Sequence, residues 1–152
     1  MDASPSGRIE WLSDLVRLEI ALWDRVDARL RAEHDLSLAL FWPLYVIGRS
    51  GDGRPRVGEL AGALGLTVGG ASKVVDRMVA AGLLSREPDP ADRRASRVAL
   101  TDDGRRRLAA ASQTCESALA ALLDPALDPG EQAQMRQLAR RLLDMLLADE
   151  ST

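Results

Sequence analysis

Residues 57–106 read VGELAGALGLTVGGASKVVDRMVAAGLLSREPDPADRRASRVALTDDGRR, and this stretch decides the fold. Gly58 to Leu64 has helical spacing and stops at Gly65, which supplies backbone angles that a β-carbon resists. Thr67 is a hydroxyl cap for a second helix running to about Ala81, and Gly82 closes it. Leu60, Leu64, Leu66 and Val74 are expected to form the small core, with Ala61 letting the two helices cross closely. Leu83 to Glu87 and Arg97 to Leu100 then read as strands, with Val98 and Leu100 on one face. Pro88-Asp89-Pro90-Ala91-Asp92 between them is turn chemistry. The pattern predicts a helix-turn-helix followed directly by a β-hairpin, which is a wing.

Upstream, Ile9 to Glu33 has helical periodicity in two adjacent apolar rows. One row holds Leu12, Val16, Trp23, Val26 and Leu30; the other holds Trp11, Leu15, Leu18 and Leu22. So wide a stripe exceeds one contact surface, and it predicts packing on a second element such as another subunit. Ser37 caps a second helix, Leu38 to about Arg49, which Pro43 is expected to kink or cut short. Ser50-Gly51-Asp52-Gly53 is a loop, and Arg54 to Val57 is expected as a short strand.

Downstream, Thr101-Asp102-Asp103 opens a helix with a hydroxyl cap and two first-turn acids, where the dipole favours negative charge. That helix continues to about Leu123. Asp128-Pro129-Gly130-Glu131 starts the last one, which carries Met135, Leu138, Leu142, Met145 and Leu146. The expected fold is mainly α. Its order is helix, helix, strand, helix, helix, strand, wing, strand, helix, helix, within one domain spanning 1–152. Residues 54–100 form the winged part.

The composition narrows the function. The chain has 152 residues, of which 46% are hydrophobic and 28% charged, in keeping with a globular domain that buries a real core. No apolar run approaches the roughly 18 residues of a membrane span, and Met1 to Gly7 lacks a signal pattern, so a cytoplasmic location is expected. One histidine, His34, and one cysteine, Cys115, leave no grouping for a metal site or nucleophilic catalysis. No cofactor and no enzymatic activity are expected. His34 reads as a structural residue at a helix end, and Cys115 as a buried thiol in an apolar stripe. Aromatic residues are only 3%, too few for a single-strand stacking platform.

The net charge of −3 hides a division. Residues 1–53 carry −3, residues 54–107 carry +4, and residues 108–152 carry −4. A basic middle between acidic flanks suits local contact with a polyanion, because screening acts over roughly 8–10 Å. The exposed face of the second winged-part helix offers Thr67, Val68, Gly69, Gly70, Ser72, Lys73, Asp76 and Arg77. Such a helix fits a major groove with its N-terminal end near base edges. Gly69 and Gly70 are poor helix formers; they suit either a close backbone approach to phosphate or merely a loose first turn. The hairpin tip holds Asp89, Asp92, Arg93, Arg94 and Arg97. An arginine there can enter a narrow minor groove, with Asp92 placed to orient the Arg94 guanidinium.

The quoted stretch resembles the MarR family of winged-helix transcription regulators. Asp92-Arg93-Arg94, followed by Val98-Ala99-Leu100-Thr101 and Gly104, carries the resemblance, and the order of flanking helices extends it over essentially the whole chain. It implies a homodimer joined through the outer helices, 8–35 and 101–148, binding a pseudo-palindromic operator in duplex DNA, usually as a repressor released by a small ligand. It further implies that Lys73 contacts DNA from the recognition helix, that Arg94 reaches the minor groove with Asp92 holding it, and that Arg77 and Arg86 meet phosphates. A family pocket would lie between the dimer helices and the winged part. Trp11, Trp23, Phe41, Trp42 and Tyr45 are its candidate walls, or else simply core. Arg49 or Arg56 would receive a small aromatic or anionic effector. One branch of the family responds to urate-like purines through a first-helix tryptophan and a second-helix acid. Trp11 matches the former, but LALFWPLYVIGRS at 38–50 contains no acid, which argues against that ligand class. The alternative reading is a winged-helix protein-interaction module without direct DNA binding, which salt-dependent duplex binding would exclude.

Overall fold

The computed structural model describes residues 5–149. Six helices and one two-stranded sheet follow in order: α1 (Pro5–His34), α2 (Leu38–Arg49), α3 (Val57–Leu64), α4 (Val68–Ala80), β1 (Leu84–Pro88), β2 (Ser96–Leu100), α5 (Asp102–Leu123) and α6 (Pro129–Asp149). The chain forms two compact units, one ending at Cys115 and one beginning at Glu116.

In the first unit, α1 carries apolar residues along most of its length, among many charged ones, but buries only its C-terminal part, through Val26 and Leu30. Asp35, with a positive φ of 49°, turns the chain out of α1. Ser37 caps α2 by accepting from the Leu40 N–H at 3.3 Å, and Asp27 of α1 accepts from the Leu38 N–H at 2.7 Å. Pro43 neither ends nor shortens α2; it is buried inside a helix that runs on to Arg49. Phe41, Leu44 and Ile47 share the core face of that helix and hold it in place despite the missing donor.

The expected strand at 54–57 is reduced to a single bridge between Arg56 and Arg97. Pro55 has no N–H to give a ladder, although its carbonyl accepts from Val98 at 3.0 Å. Arg56 is already the cap of α3, its N–H donating to Glu59 at 2.7 Å. Gly65 ends α3 in the left-handed region at φ 64°. Thr67 then caps α4, its hydroxyl accepting from the Gly70 N–H at 3.1 Å.

The small core differs from expectation in its membership. Leu60 and Ala61 are buried as expected, but their α4 partners are Ala71, Val75 and Met78, one helical row. Val74 lies off that row and is only half-buried. Leu66 precedes the helix and is 43% exposed.

β1 and β2 pair antiparallel, Leu84 opposite Leu100 and Pro88 opposite Ser96, with Val98 buried beneath them. Thr101 opens α5, its hydroxyl accepting from the Gly104 N–H at 3.0 Å. In the second unit Asp128 and Glu131 exchange a reciprocal capping pair at the start of α6, both bonds at 2.9 Å. No helix among the described residues is long and apolar enough to cross a membrane.

Candidate nucleic-acid interface

α4 presents its N-terminal half outward because Ala71, Val75 and Met78 fix the opposite row against α3 and the sheet. Val68, Gly69, Lys73 and Arg77 are therefore exposed, as is the Thr67 cap, while Gly70 and Ser72 are half-buried. Gly70 has a local reason to lack a side chain, since a Cβ there would stand 3.2 Å from Thr67 Oγ1. Around Gly69 there is open space.

The wing stands beside this helix. A cleft of about 570 Å³ is lined by Arg56, Val57, Gly58 and Glu59 of the α3 start, Val68 and Ser72 of α4, and Arg86, Arg94, Ala95 and Ser96 of the hairpin. Arg86 crosses from β1 to α4, its Nη2 donating to Ser72 Oγ at 3.0 Å and lying 3.4 Å from Asp76 Oδ1. Both Ser72 and Arg86, expected to face a ligand, thus also brace helix against hairpin. Arg93 and Arg94 at the tip are exposed. Lys73, Arg77, Arg93 and Arg94 enter no ion pair among the described residues, so their charge is available to an outside anion.

Asp92 acts differently from expectation. Its Oδ1 accepts from the backbone N–H of Arg94 at 2.9 Å, so it shapes the tip's backbone rather than gripping the guanidinium. Asp89, which the sequence places only in a charged turn, has a buried role instead. Its carboxylate is buried and accepts from Arg56 Nε at 2.6 Å, from Arg97 Nε at 3.0 Å and from the Ala91 N–H at 2.7 Å. The Arg56 hydrogen bond foremost, then the Ala91 N–H and Arg97, hold its pKa down at about 2. The sequence did carry one clue: Asp-Pro-Ala is a side-chain-capped turn whose acid need not face solvent.

The effector candidates are not brought together as one group. On α2, Trp42 and Tyr45 stack with ring centroids 5.6 Å apart, and the Arg49 guanidinium lies 5.6 Å from the Tyr45 ring centre. Phe41, in contrast, is buried in the core. Trp11 is 53% exposed on the first half of α1 and is in no ring pair among the described residues. Arg56 is engaged by Asp89 instead of standing free for a ligand.

Residues 34–95 match the family model described as the MarR family. Over these residues, which include the helix-turn-helix, the chain is similar to the MarR family. Solved structures of MarR-family regulators extend the likeness to the flanking helices. Sco3205 from Streptomyces coelicolor, solved in complex with DNA, superposes with a TM-score of 0.82 at 23% identity over 96% of this chain and 91% of its own. AbsC from the same organism gives 0.81 at 19% identity, covering 96% and 97%. A cysteine-to-serine variant of MarR from E. coli, complexed with operator DNA, gives 0.78 at 23% identity, covering 93% and 99%. At these identities the superpositions establish the MarR-type fold over nearly the whole chain. No curated protein sequence matches it at a significant level.

Proposed function

We propose that this chain is a homodimeric transcription regulator that binds double-stranded DNA. The observation that carries the reading is a set of exposed basic side chains in no ion pair among the described residues, Lys73 and Arg77 on α4 and Arg93 and Arg94 on the wing, with Arg94 sharing a cleft with Val68 and Ser72 of α4. The first pair suits the major groove and its phosphates, the second the adjacent minor groove. Thr67, Val68, Gly69 and Gly70 form the blunt helix end that meets the groove floor, while Ser72, Arg86 and Asp92 hold the reading elements in shape. The acidic outer segments do not oppose this, since local rather than net charge governs contact at a Debye length of roughly 8 Å.

Dimerisation is supported by apolar surface left in water. On α1, Ile9, Leu12, Val16 and Trp23 are exposed, and on α6, Leu138, Leu142, Leu143 and Leu146 are. Exposed stripes of this extent mark protein contacts. Two-fold symmetry would set two recognition helices about one DNA turn, roughly 34 Å, apart on a pseudo-palindromic operator. An aromatic or anionic effector fits the Trp42–Tyr45–Arg49 stack, with Trp11 as a further candidate. It would release DNA only by binding the two spacings of recognition helices with different affinity.

The test is titration of duplex DNA at several salt concentrations. Affinity should fall steeply and log-linearly with salt, as counterion release requires, and sedimentation should find dimers at micromolar concentration. Salt-independent or absent binding would turn the assignment toward a protein-interaction module.

A further inference from the structure

We propose that Asp89 is the positioning residue of the wing, a buried carboxylate that latches the hairpin's base to the cap of α3 and so fixes where Arg93 and Arg94 are presented. This rests on the DNA-binding reading above and adds to it the element that sets the wing's pose.

Asp89 and Thr114 are the two buried polar side chains among the described residues, and Asp89 is 2% exposed. A carboxylate is expensive to take out of water unless each oxygen is satisfied. Here Oδ2 takes both arginine Nε donors and Oδ1 takes the Ala91 N–H. The Asp89 N–H closes the hairpin onto the Ala95 carbonyl at 3.1 Å, and Ala95 donates back to Asp92 at 3.0 Å. Side chain and backbone of one residue thus organise residues 89–95.

The latch reaches outside the hairpin. Arg56 is the cap of α3, so the wing's base and the helix-turn-helix share one carboxylate. Arg97 also donates from Nη1 to Asp52 Oδ2 at 3.2 Å and to the Arg54 carbonyl at 3.0 Å, and Arg54 pairs with Glu87 at 3.0 Å. These contacts sort the wing's arginines by task. Arg97 is consumed by three acceptors and holds position, whereas Arg93 and Arg94 remain unpaired and face out. An apolar plug would hold the hairpin with less penalty but would tolerate sliding. A buried charge does not, because a small displacement leaves it uncompensated.

The experiment uses the full chain and a duplex that the wild-type protein selects from a random-sequence library. Dimethyl sulfate then reads guanine N7 in the major groove and adenine N3 in the minor groove. Asp89→Asn and Arg56→Gln are compared with Arg94→Ala. Both latch variants should keep guanine N7 protection, lose adenine N3 protection, and bind about tenfold more weakly. Combining Asp89→Asn with Arg94→Ala should add little to either alone, because both remove the same contact. Arg56→Gln leaves Asp89 with Arg97 and the Ala91 N–H, so it remains informative if Asp89→Asn does not fold. Intact adenine protection in a folded latch variant would overturn the positioning role, as would failure of both variants to fold, which would make Asp89 a stability element. If the wild-type chain selects no duplex, the DNA-binding reading itself falls.

Discussion

Gly104, in the first turn of α5, lies directly against the carbonyl of Leu83. A β-carbon there would overlap Leu83 O, the same oxygen that accepts from the Thr101 N–H at 3.1 Å. This close approach seats α5 against the entry to the hairpin. Backbone cannot rotate aside as a side-chain end can. Gly104→Ala should therefore destabilise by about 2 kcal/mol despite alanine's better helix propensity. Gly48 is the control, since its added Cβ would stand 2.7 Å from Leu108 Cδ2, the far end of a flexible side chain. Gly48→Ala should be nearly neutral. Urea unfolding of both variants checks the contrast, and equal midpoints would refute it.

Most of this scaffold is legible in the sequence because its boundaries are set by neighbours in the chain. Gly65, Thr67, Thr101 and the Asp128–Glu131 pair each act within four residues, and the structure uses each where the local chemistry puts it. The Asp89 latch was not legible for the opposite reason. Its partner Arg56 is 33 residues away, and an acid between two prolines reads as a solvated turn until the fold buries it. The same distance explains Arg56, whose charge reads as a ligand anchor until Asp89 is seen to occupy it. Leu66 and Val74 were misassigned because apolar identity does not say which helical row faces inward.

On the DNA-binding reading, Arg94→Ala should weaken operator binding by about tenfold or more and leave dimerisation unchanged. Lys73→Ala should also weaken binding. If it reads a base edge, the loss will differ among operator variants; if it meets phosphate, the loss will be uniform and the salt slope shallower by about one. Anisotropy titrations across an operator set separate these outcomes, and unchanged affinity for Arg94→Ala would remove the wing from the interface.

Stability should depend on acid in a defined window. The Arg56 hydrogen bond, supported by Ala91 and Arg97, lowers Asp89 from its ordinary 3.8 to about 2. Arg31 and the Leu38 N–H lower Asp27, and Arg105 lowers Asp102. Each folded-state pKa lies below its unfolded value, so the unfolded chain takes up protons first. The stabilisation is complete above the unfolded values, and it is lost as pH falls from about 4 through about 2. Unfolding midpoints should be flat near neutrality and drop within that window. Asp89→Asn should drop less steeply. An equal slope in that variant would mean that Asp89 is not held as the geometry requires.

Thr114 determines the tautomer of His34. Its hydroxyl has one proton, which it donates to Glu33 Oε2 at 2.7 Å. That bond, with Arg29, lowers the Glu33 pKa, so the carboxylate is ionised at neutral pH and accepts. The 2.8 Å contact between Thr114 Oγ1 and His34 Nε2 can then be a hydrogen bond only if Nε2 carries a proton. The end of α1 and the middle of α5 are joined through this one hydroxyl, and Arg107 adds a second tie by donating to the His34 carbonyl at 2.6 Å. Nitrogen-15 chemical shifts of the neutral His34 imidazole should report the Nε2–H form in the wild-type chain. A dominant Nδ1–H form would contradict the donor order. Thr114→Val keeps the shape but removes both bonds, and should cost about 1–2 kcal/mol and erase the tautomer preference.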